Sequence, residues 1–556
     1  MSDADRYRER PWTAHYGEGV PLRVEAPREP VWALLDRAAE RFPRRAALHF
    51  YGASLSYREL REQADRCAAA LAGLGVGRGT RVALYLVNSP QFVIAYFGIL
   101  KAGGTVVPVS PVYSSSELAF QVKDSGASHL VCQDVLYGNV ERAELNLKAT
   151  VVTGAHEYLP ALKGALAKKA PVPTGPGVYP WAKLVREASG KFSPAELDPG
   201  KDLAALPYTG GTSAQPKGVE LTHCHLLACA TQLRAFFPVL TEGGEAVAAT
   251  LPLNHIYGQV AVLLMGITLG ATIFLFSSLD LGQILSAVDR HGVTVFYGVP
   301  ALYEVLRNHA KASWVDWRRM KIVVSGADAL PETTAAGWEE RTGKAILEGF
   351  GMTETAGVSH VNPLHRIKRG SFGVPLPSVD VLVVDPEGAG AVPVGEVGEL
   401  LLSGPNITHG YWRRDEENRR AFVEVDGVRW LRTGDLVRMD EEGYFHYYAR
   451  TKDLIKYRGF SVFLREIEEV LAAHPMVKAA GVVGVKDPKV GEYPVAYVVL
   501  KPEARGLVTE AEIRDYLQEK LAPYKVPRIV EFRSELPKTD VGKVSRRDLR
   551  EELEGR

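Results

Sequence analysis

Cysteine is scarce in this chain: Cys67, Cys132, Cys224 and Cys229 are the only four in 556 residues. That number makes no disulfide framework and points to a reducing compartment, the cytoplasm. Neither sign of charge is in excess. Lys plus Arg and Asp plus Glu are 66 each, so net charge gives no hint of nucleic acid or of an anionic membrane. The N-terminal stretch Met1-Ser-Asp-Ala-Asp-Arg-Tyr-Arg lacks the apolar core of a secretory signal. Long hydrophobic runs are also missing. The longest uncharged one, Val260 to Phe276, is interrupted by Gly266 and Gly270. It reads as a buried helix to about Leu269, a turn at Gly270 and a strand from Ala271 to Phe276, not as a bilayer span. At most a peripheral membrane contact remains. Familiar nucleotide fingerprints are absent too. Glycines 73, 75, 77 and 79 follow a helical pattern and precede a strand, the wrong order for a dinucleotide loop.

What the chain does have is enough length for several cores and an ordinary apolar content of 46%. Ser56-Tyr-Arg-Glu59 is a capping box, and Leu60, Ala64, Cys67 and Leu71 behind it recur at helical spacing. Apolar strands such as Arg81–Leu86, Gly104–Val109, Gly292–Tyr297 and Lys321–Ser325 alternate with helices. Such alternation predicts α/β architecture with largely parallel sheets covered on both faces. The Lys-, Pro- and Gly-rich region from about 158 to 200 reads as a surface insertion or linker. From about 371 to 447 short strands and turns suggest a small antiparallel module. The last hundred residues read as a compact α+β domain, with a helix from Leu464 to Ala473.

One loop carries concentrated chemistry: Tyr208-Thr209-Gly210-Gly211-Thr212-Ser213-Ala214-Gln215-Pro216-Lys217-Gly218. Glycines let backbone N–H groups approach oxyanions, hydroxyls add donors, and the lysine adds a point charge. The pattern suits a polyphosphate. It is not the P-loop of motor ATPases, since Pro216 precedes Lys217 and Gly218 follows it. Further along, Gly349-Phe350-Gly351-Met352-Thr353-Glu354 joins an aromatic able to stack on a base, a hydroxyl for phosphate and a carboxylate for Mg²⁺. Trp430-Leu-Arg-Thr-Gly-Asp435 ends in an acid suited to ribose hydroxyls. Arg450-Thr-Lys452-Asp453-Leu-Ile-Lys456-Tyr-Arg-Gly459 is a basic stretch at a domain junction, and Lys543 closes a turn near the C-terminus. Each alone also reads as a turn or a solvated face; the set, in this order, does not. His223-Cys224-His225 lacks the spaced pairs of a zinc site and reads as a helix start.

Together with Pro252-Leu-Asn-His255-Ile-Tyr257, Gly398-Glu-Leu, Gly410-Tyr-Trp412 and Tyr524-Lys-Val-Pro527, these motifs resemble the adenylate-forming superfamily from about residue 30 to about 552. That superfamily comprises acyl-CoA synthetases, peptide-synthetase adenylation domains and luciferase-like enzymes. The chain is most similar to the bacterial long-chain fatty acid–CoA ligases. The resemblance implies a large domain over 1–449, with two parallel-sheet subdomains and a β-barrel-like one. A hinge follows at 450–453, then a small mobile α+β lid over 454–556. It implies ATP, Mg²⁺ and coenzyme A, with a carboxylic acid as the other substrate and a homodimer as one possible assembly.

By the same resemblance a carboxylate attacks the α-phosphate of ATP, and the coenzyme A thiol then displaces AMP. Lys543 would bridge acyl carboxylate and α-phosphate, and Thr209 to Lys217 would clamp the β- and γ-phosphates. Glu354 with Thr212 would hold Mg²⁺, Asp435 and Arg450 the ribose, and Gly326-Ala327-Asp328 the side of the adenine and acyl pocket. His255 would line the acyl entrance, unless it is a satisfied core histidine. Rotation about Lys452 and Asp453 would withdraw Lys543 and bring Lys456 and Gly459 toward the thiol channel. Ala214, Ala449 and Leu464 depart from the usual pattern without removing a charged group. Ile455-Lys-Tyr-Arg-Gly-Phe460 resembles the phenylpropanoid ligases, so an aromatic or short acid is the alternative substrate. A stand-alone enzyme loading a carrier protein and a luciferase-like oxygenase are further readings.

Overall fold

A computed structural model describes residues 3–167, 170, 173, 175–209, 216–386, 390–458, 460–537 and 544–554. Two stacked sheets follow from the alternation of apolar strands and helices. The first has seven strands, ordered Val178–Pro180, Ala149–Thr153, His129–Gln133, Arg81–Tyr85, Thr105–Pro108, Leu203–Ala205 and Leu221–Thr222. All its pairs are parallel except the last. The second has nine strands with a parallel centre running from Leu347–Phe350 through Ile322–Ser325, Val295–Gly298, Ala246–Ala249 and Thr272–Leu275 to Ala46–Phe50. Its two ends are antiparallel.

Helices Tyr57–Gly73 and Pro90–Lys101 belong to the large core between these sheets. The first begins at the expected capping box, with the Ser56 side chain accepting from the Glu59 N–H. The second is buried along its whole length. A Cβ at Gly98 would come within 2.7 Å of the Cys67 sulfur, so these helices pack at the closest approach that glycine allows. Lys101 ends the buried helix and is itself 1% exposed. Its Nζ lies 2.6 Å from both Asp36 and Asp65, tying three helices together.

The uncharged run resolves as expected into helix, turn at Gly270 and strand Thr272–Leu275, with one addition. Gly258–Leu264 winds as a π-helix before the α-helical turn Met265–Thr268. A Cβ at Gly258 would sit 2.2 Å from the Pro252 carbonyl oxygen, so the loop before it folds tightly against the wider turn. No helix among the described residues is long and apolar enough to cross a membrane.

The region from 158 to 200 differs from the expected surface linker. Val178–Pro180 is an edge strand of the seven-stranded sheet, and Trp181 behind it is 2% exposed. Val185 is buried beside it, and Leu184 and Phe192 pack against the same core, so this part of the polar segment is docked.

The antiparallel module is present as five strands: Asp380–Val384, Val397–Ser403, Phe422–Val425, the long Val428–Met439 and Phe445–Arg450. Past Arg450 a 3₁₀ turn at Thr451–Asp453 leads to strand Leu454–Tyr457 of a separate mixed sheet. That sheet has its own apolar core with helices Leu464–Ala472 and Glu510–Lys520.

The Lys101 triad gives a stability test. Lys101→Met leaves two partly buried carboxylates facing each other and should lower the unfolding free energy by about 3 kcal/mol. Urea denaturation reads this directly; an unchanged midpoint would show that the carboxylates are solvated instead.

Candidate active site

The carboxyl ends of parallel strands are where open α/β sheets present ligands. Here Gly326 follows strand Ile322–Ser325, the Gly349–Glu354 motif runs off strand Leu347–Phe350, and the loop through His255 follows strand Ala246–Ala249. The three are neighbours because their strands are close in the sheet. A Cβ at Gly326 would lie 3.1 Å from the Tyr257 ring, so that tyrosine covers the glycine. Ala327 takes the left-handed conformation at φ +68°. A Cβ at Gly351 would approach the Gly357 carbonyl oxygen to 2.2 Å, which confines that position to glycine.

The phosphate-loop candidate is pinched at its base. The Thr209 N–H donates to the Lys217 carbonyl at 2.9 Å, and the Lys217 N–H donates to the Thr209 hydroxyl oxygen at 3.3 Å. Tyr208 bridges Gly218 across the same neck. Gly210, Gly211, Thr212 and Ser213 lie outside the described residues. The exit of the loop pairs with the chain at Tyr411: the Trp412 N–H donates to the Gly218 carbonyl and the Glu220 N–H to the Gly410 carbonyl.

Tyr411 is the residue that joins these parts. The Lys217 ammonium sits 4.4 Å from the centre of its ring. Its hydroxyl donates to Glu354 Oε1 at 2.7 Å. Burial, then the Glu354 charge, pushes the Tyr411 hydroxyl far above the ordinary tyrosine range, so it stays a donor. Glu354 is 5% exposed, and its carbonyl accepts from the Thr408 N–H. The sequence motif Gly410-Tyr411-Trp412 contained this residue without revealing its contacts, because the partners lie 57 and 194 positions away (411−354 and 411−217).

On the antiparallel sheet, Asp435 faces Arg450 across two paired strands. Asp435 is fully buried, and the Arg450 Nε lies 2.8 Å from its Oδ1. The Asp435 charge holds the guanidinium protonated far above its ordinary range, with Tyr447 and Glu354 adding to the effect. A register shift between Leu436 and Val437 bulges the partner strand next to this pair. Tyr448, in the bulge, meets the Phe463 ring at 6.3 Å, and the Arg465 guanidinium lies over Tyr447 at 4.7 Å. Tyr447, pushed up to about 12 by burial and by Asp435, is a second contact residue that the sequence did not single out.

Other expected site residues are placed as follows. Phe350 is half-buried against Phe372, ring centres 4.8 Å apart, and Thr353 opens the short turn that carries Glu354. His255 is exposed, not a core histidine, and its Nδ1 accepts from the Tyr257 N–H. Asp453 pairs with Arg546, while Lys456 is exposed on the first strand of the C-terminal sheet. Lys452 falls in the 3₁₀ turn. Gly459 and Lys543 lie outside the described residues.

No cluster of three or more His, Cys, Asp or Glu among the described residues makes a metal cage. His223 instead starts a helix, where its Nδ1 accepts from the Val31 N–H. A single buried carboxylate such as Glu354 fits Mg²⁺ that arrives on phosphates and keeps several waters.

The comparisons agree with this geometry. Residues 35–412 match the AMP-binding enzyme family and residues 466–543 match the AMP-binding enzyme C-terminal domain. The chain belongs to the AMP-binding enzymes, in the acyl-CoA ligase family. It is 36% identical to a long-chain-fatty-acid–CoA ligase of Bacillus subtilis, covering 98% of each chain. It is 33% identical to a feruloyl-CoA synthase of Amycolatopsis, covering 92% of this chain and 97% of that one. Among solved structures, ATP-bound MatB from Rhodopseudomonas palustris superposes with a TM-score of 0.82 at 29% identity, over 94% of this chain and 99% of that one.

Two outcomes are expected from these contacts. Tyr411→Phe keeps the ring on Lys217 but removes a charge-assisted hydrogen bond; steady-state assays should show kcat/KM for ATP falling about tenfold or more. Unchanged kinetics would detach Tyr411 from the site. Beside the motif, burial pushes the Glu348 carboxyl up from 4.5 to about 7, with the Leu330 and Gly370 N–H groups and Arg465 opposing the rise. An acid raised in the fold is favoured there only when protonated. Stability should therefore decline as pH rises from 4.5 through about 7. Glu348→Gln should flatten that decline and gain on the order of 1–3 kcal/mol above it. Thermal melts across pH would contradict this if both proteins lost stability in parallel.

Proposed function

We propose that this protein is an ATP-dependent carboxylic acid–CoA ligase acting on medium- or long-chain fatty acids. It would convert acid, ATP and coenzyme A to acyl-CoA, AMP and diphosphate through an acyl-adenylate. The observation that carries the reading is the continuous line from Lys217 through Tyr411 and Glu354 to Arg450 and Asp435, spanning loop, parallel sheet and antiparallel sheet. Its similarity to a fatty acid ligase extends over 98% of both chains.

A carboxylate is a poor acyl donor because hydroxide leaves badly, whereas AMP leaves well. Bringing two anions together requires fixed positive charge and donors where negative charge develops. In this reading Lys217 and the loop it closes draw charge from the outer phosphates. Glu354, oriented by Tyr411, anchors the Mg²⁺ that ATP carries. Asp435 accepts from the ribose, and Arg450 keeps that carboxylate ionised. Lys543 supplies the charge between acyl carboxylate and α-phosphate. The lid over 454–556 then turns about Lys452 and Asp453, so that Lys543 leaves and the segment with Lys456 and Gly459 faces the incoming thiol.

Aromatic acids are the second reading, supported by the likeness to a feruloyl-CoA synthase and by the segment Ile455–Phe460. AMP release dependent on coenzyme A, screened from acetate to palmitate and with benzoate and coumarate, should peak on the longer aliphatic acids. A maximum at coumarate would overturn the substrate assignment. Lys543→Ala should abolish adenylate formation yet spare thioester formation from supplied acyl-adenylate. Equal loss of both half-reactions would contradict two separate lid positions.

A further inference from the structure

The amino edge of the nine-stranded sheet, opposite the carboxyl ends that carry the site motifs, opens into a cleft of about 710 Å³. It is lined where strands Ala46–Phe50, Ala246–Ala249, Thr272–Leu275, Val295–Gly298 and Ile322–Ser325 begin. A smaller cavity of about 170 Å³ continues from it along helix Leu281–His291 and shares His49, Phe274 and His291 with the cleft. The two form one groove.

Its charge is one-sided. Arg45, Arg319 and Lys321 line the wide part, and Arg290 and Lys163 line the narrow part. None of the residues lining either cavity is Asp or Glu. Lys321 has a carboxylate partner, Glu245, which is buried beneath it at 2.6 Å. Arg45 and Lys163 donate only to backbone carbonyls, those of Glu245 and Tyr51. Arg290 and Arg319 make no ion pair or side-chain hydrogen bond among the described residues. Asp316 is held bidentately by Arg318 and feels the charge of Arg319 without a hydrogen bond to it.

Between the two cationic ends stand three rings in mutual, tilted contact. His49 and His291 are 4.9 Å apart, and each lies about 5 Å from Phe274. His49 holds Ser54 through its Nδ1. Burial first, then His291 and Lys163, push His49 below the ordinary histidine range, so its imidazole is held neutral. The cations that line the groove, with no acid among its lining residues, make it a favourable place for an anion.

We propose that this groove is a second anion site, built for a phosphate group and separate from the ATP-binding edge of the same sheet. Forked guanidiniums suit phosphate oxygens, and the two imidazoles add donors from the floor. One phosphate chemistry has two sources, a free phosphorylated molecule or a lipid headgroup. Leu162, 75% exposed next to Lys163, would meet acyl chains in the second case.

Arg290→Gln with Arg319→Gln removes two unpaired cations from the surface and leaves every proposed ATP contact in place. In equilibrium dialysis with labelled inorganic phosphate, the wild-type chain should bind one saturable equivalent more than this variant, or the variant should bind about tenfold more weakly. Vesicles of phosphatidylcholine with and without phosphatidylglycerol form the second arm, read by co-sedimentation. Loss of phosphate binding alone assigns a free ligand; loss of co-sedimentation with the anionic vesicles assigns the headgroup. Equal phosphate stoichiometry and equal sedimentation of wild type and variant, with AMP-release activity and melting temperature intact in both, would overturn the proposal.

Discussion

The pair of buried Asp435 and partly exposed Arg450 is the contact on which the rest of the site depends. A fully buried carboxylate is costly unless a cation and donors stand beside it. The antiparallel pairing of two strands places that cation opposite, and Arg450 is also the last residue before the 3₁₀ turn into the C-terminal sheet. In the proposed reading, movement of the C-terminal sheet about that turn would pull on the residue paired with Asp435. The same guanidinium feels Glu354 and Tyr447, so Asp435, Arg450, Tyr447 and Glu354 share one electrostatic neighbourhood.

Three sheets must agree for this arrangement to exist. The seven-stranded sheet ends in the phosphate loop, the nine-stranded sheet delivers Gly326 and Glu354, and the antiparallel sheet delivers Asp435. Tyr411 is the strut between them, its ring under Lys217 and its hydroxyl on Glu354. Backbone pairing of Val219 with Tyr411 fixes where the strut stands. The sheets position these groups, and the connecting loops bring them together.

Much of this was legible in the residues. The capping box at Ser56, the helix–turn–strand around Gly270 and the antiparallel character after 371 follow from local chemistry, and each is present. The α/β architecture followed from apolar strands that lack alternation. What was not legible depends on distant partners. The π-helical turn at Gly258–Leu264 has no local signature and arises where Gly258 meets the Pro252 carbonyl. Trp181 and Val185 anchor an apparently polar segment to the core. Tyr411 and Tyr447 acquire their contacts only when strands from separate segments pair, and His255 is exposed although Ile256 beside it is buried. The basic groove draws on residues from 45 to 321, each unremarkable in its own stretch.

The central claim is that Asp435, paired with Arg450, reads the ribose of the nucleotide. Calorimetric titration of ATP and of its dideoxyribose analogue into the wild type and Asp435→Asn tests it most directly. The account predicts that the wild type prefers ATP by about tenfold or more and that the variant binds both nucleotides almost equally. A variant that kept the wild-type preference would contradict it.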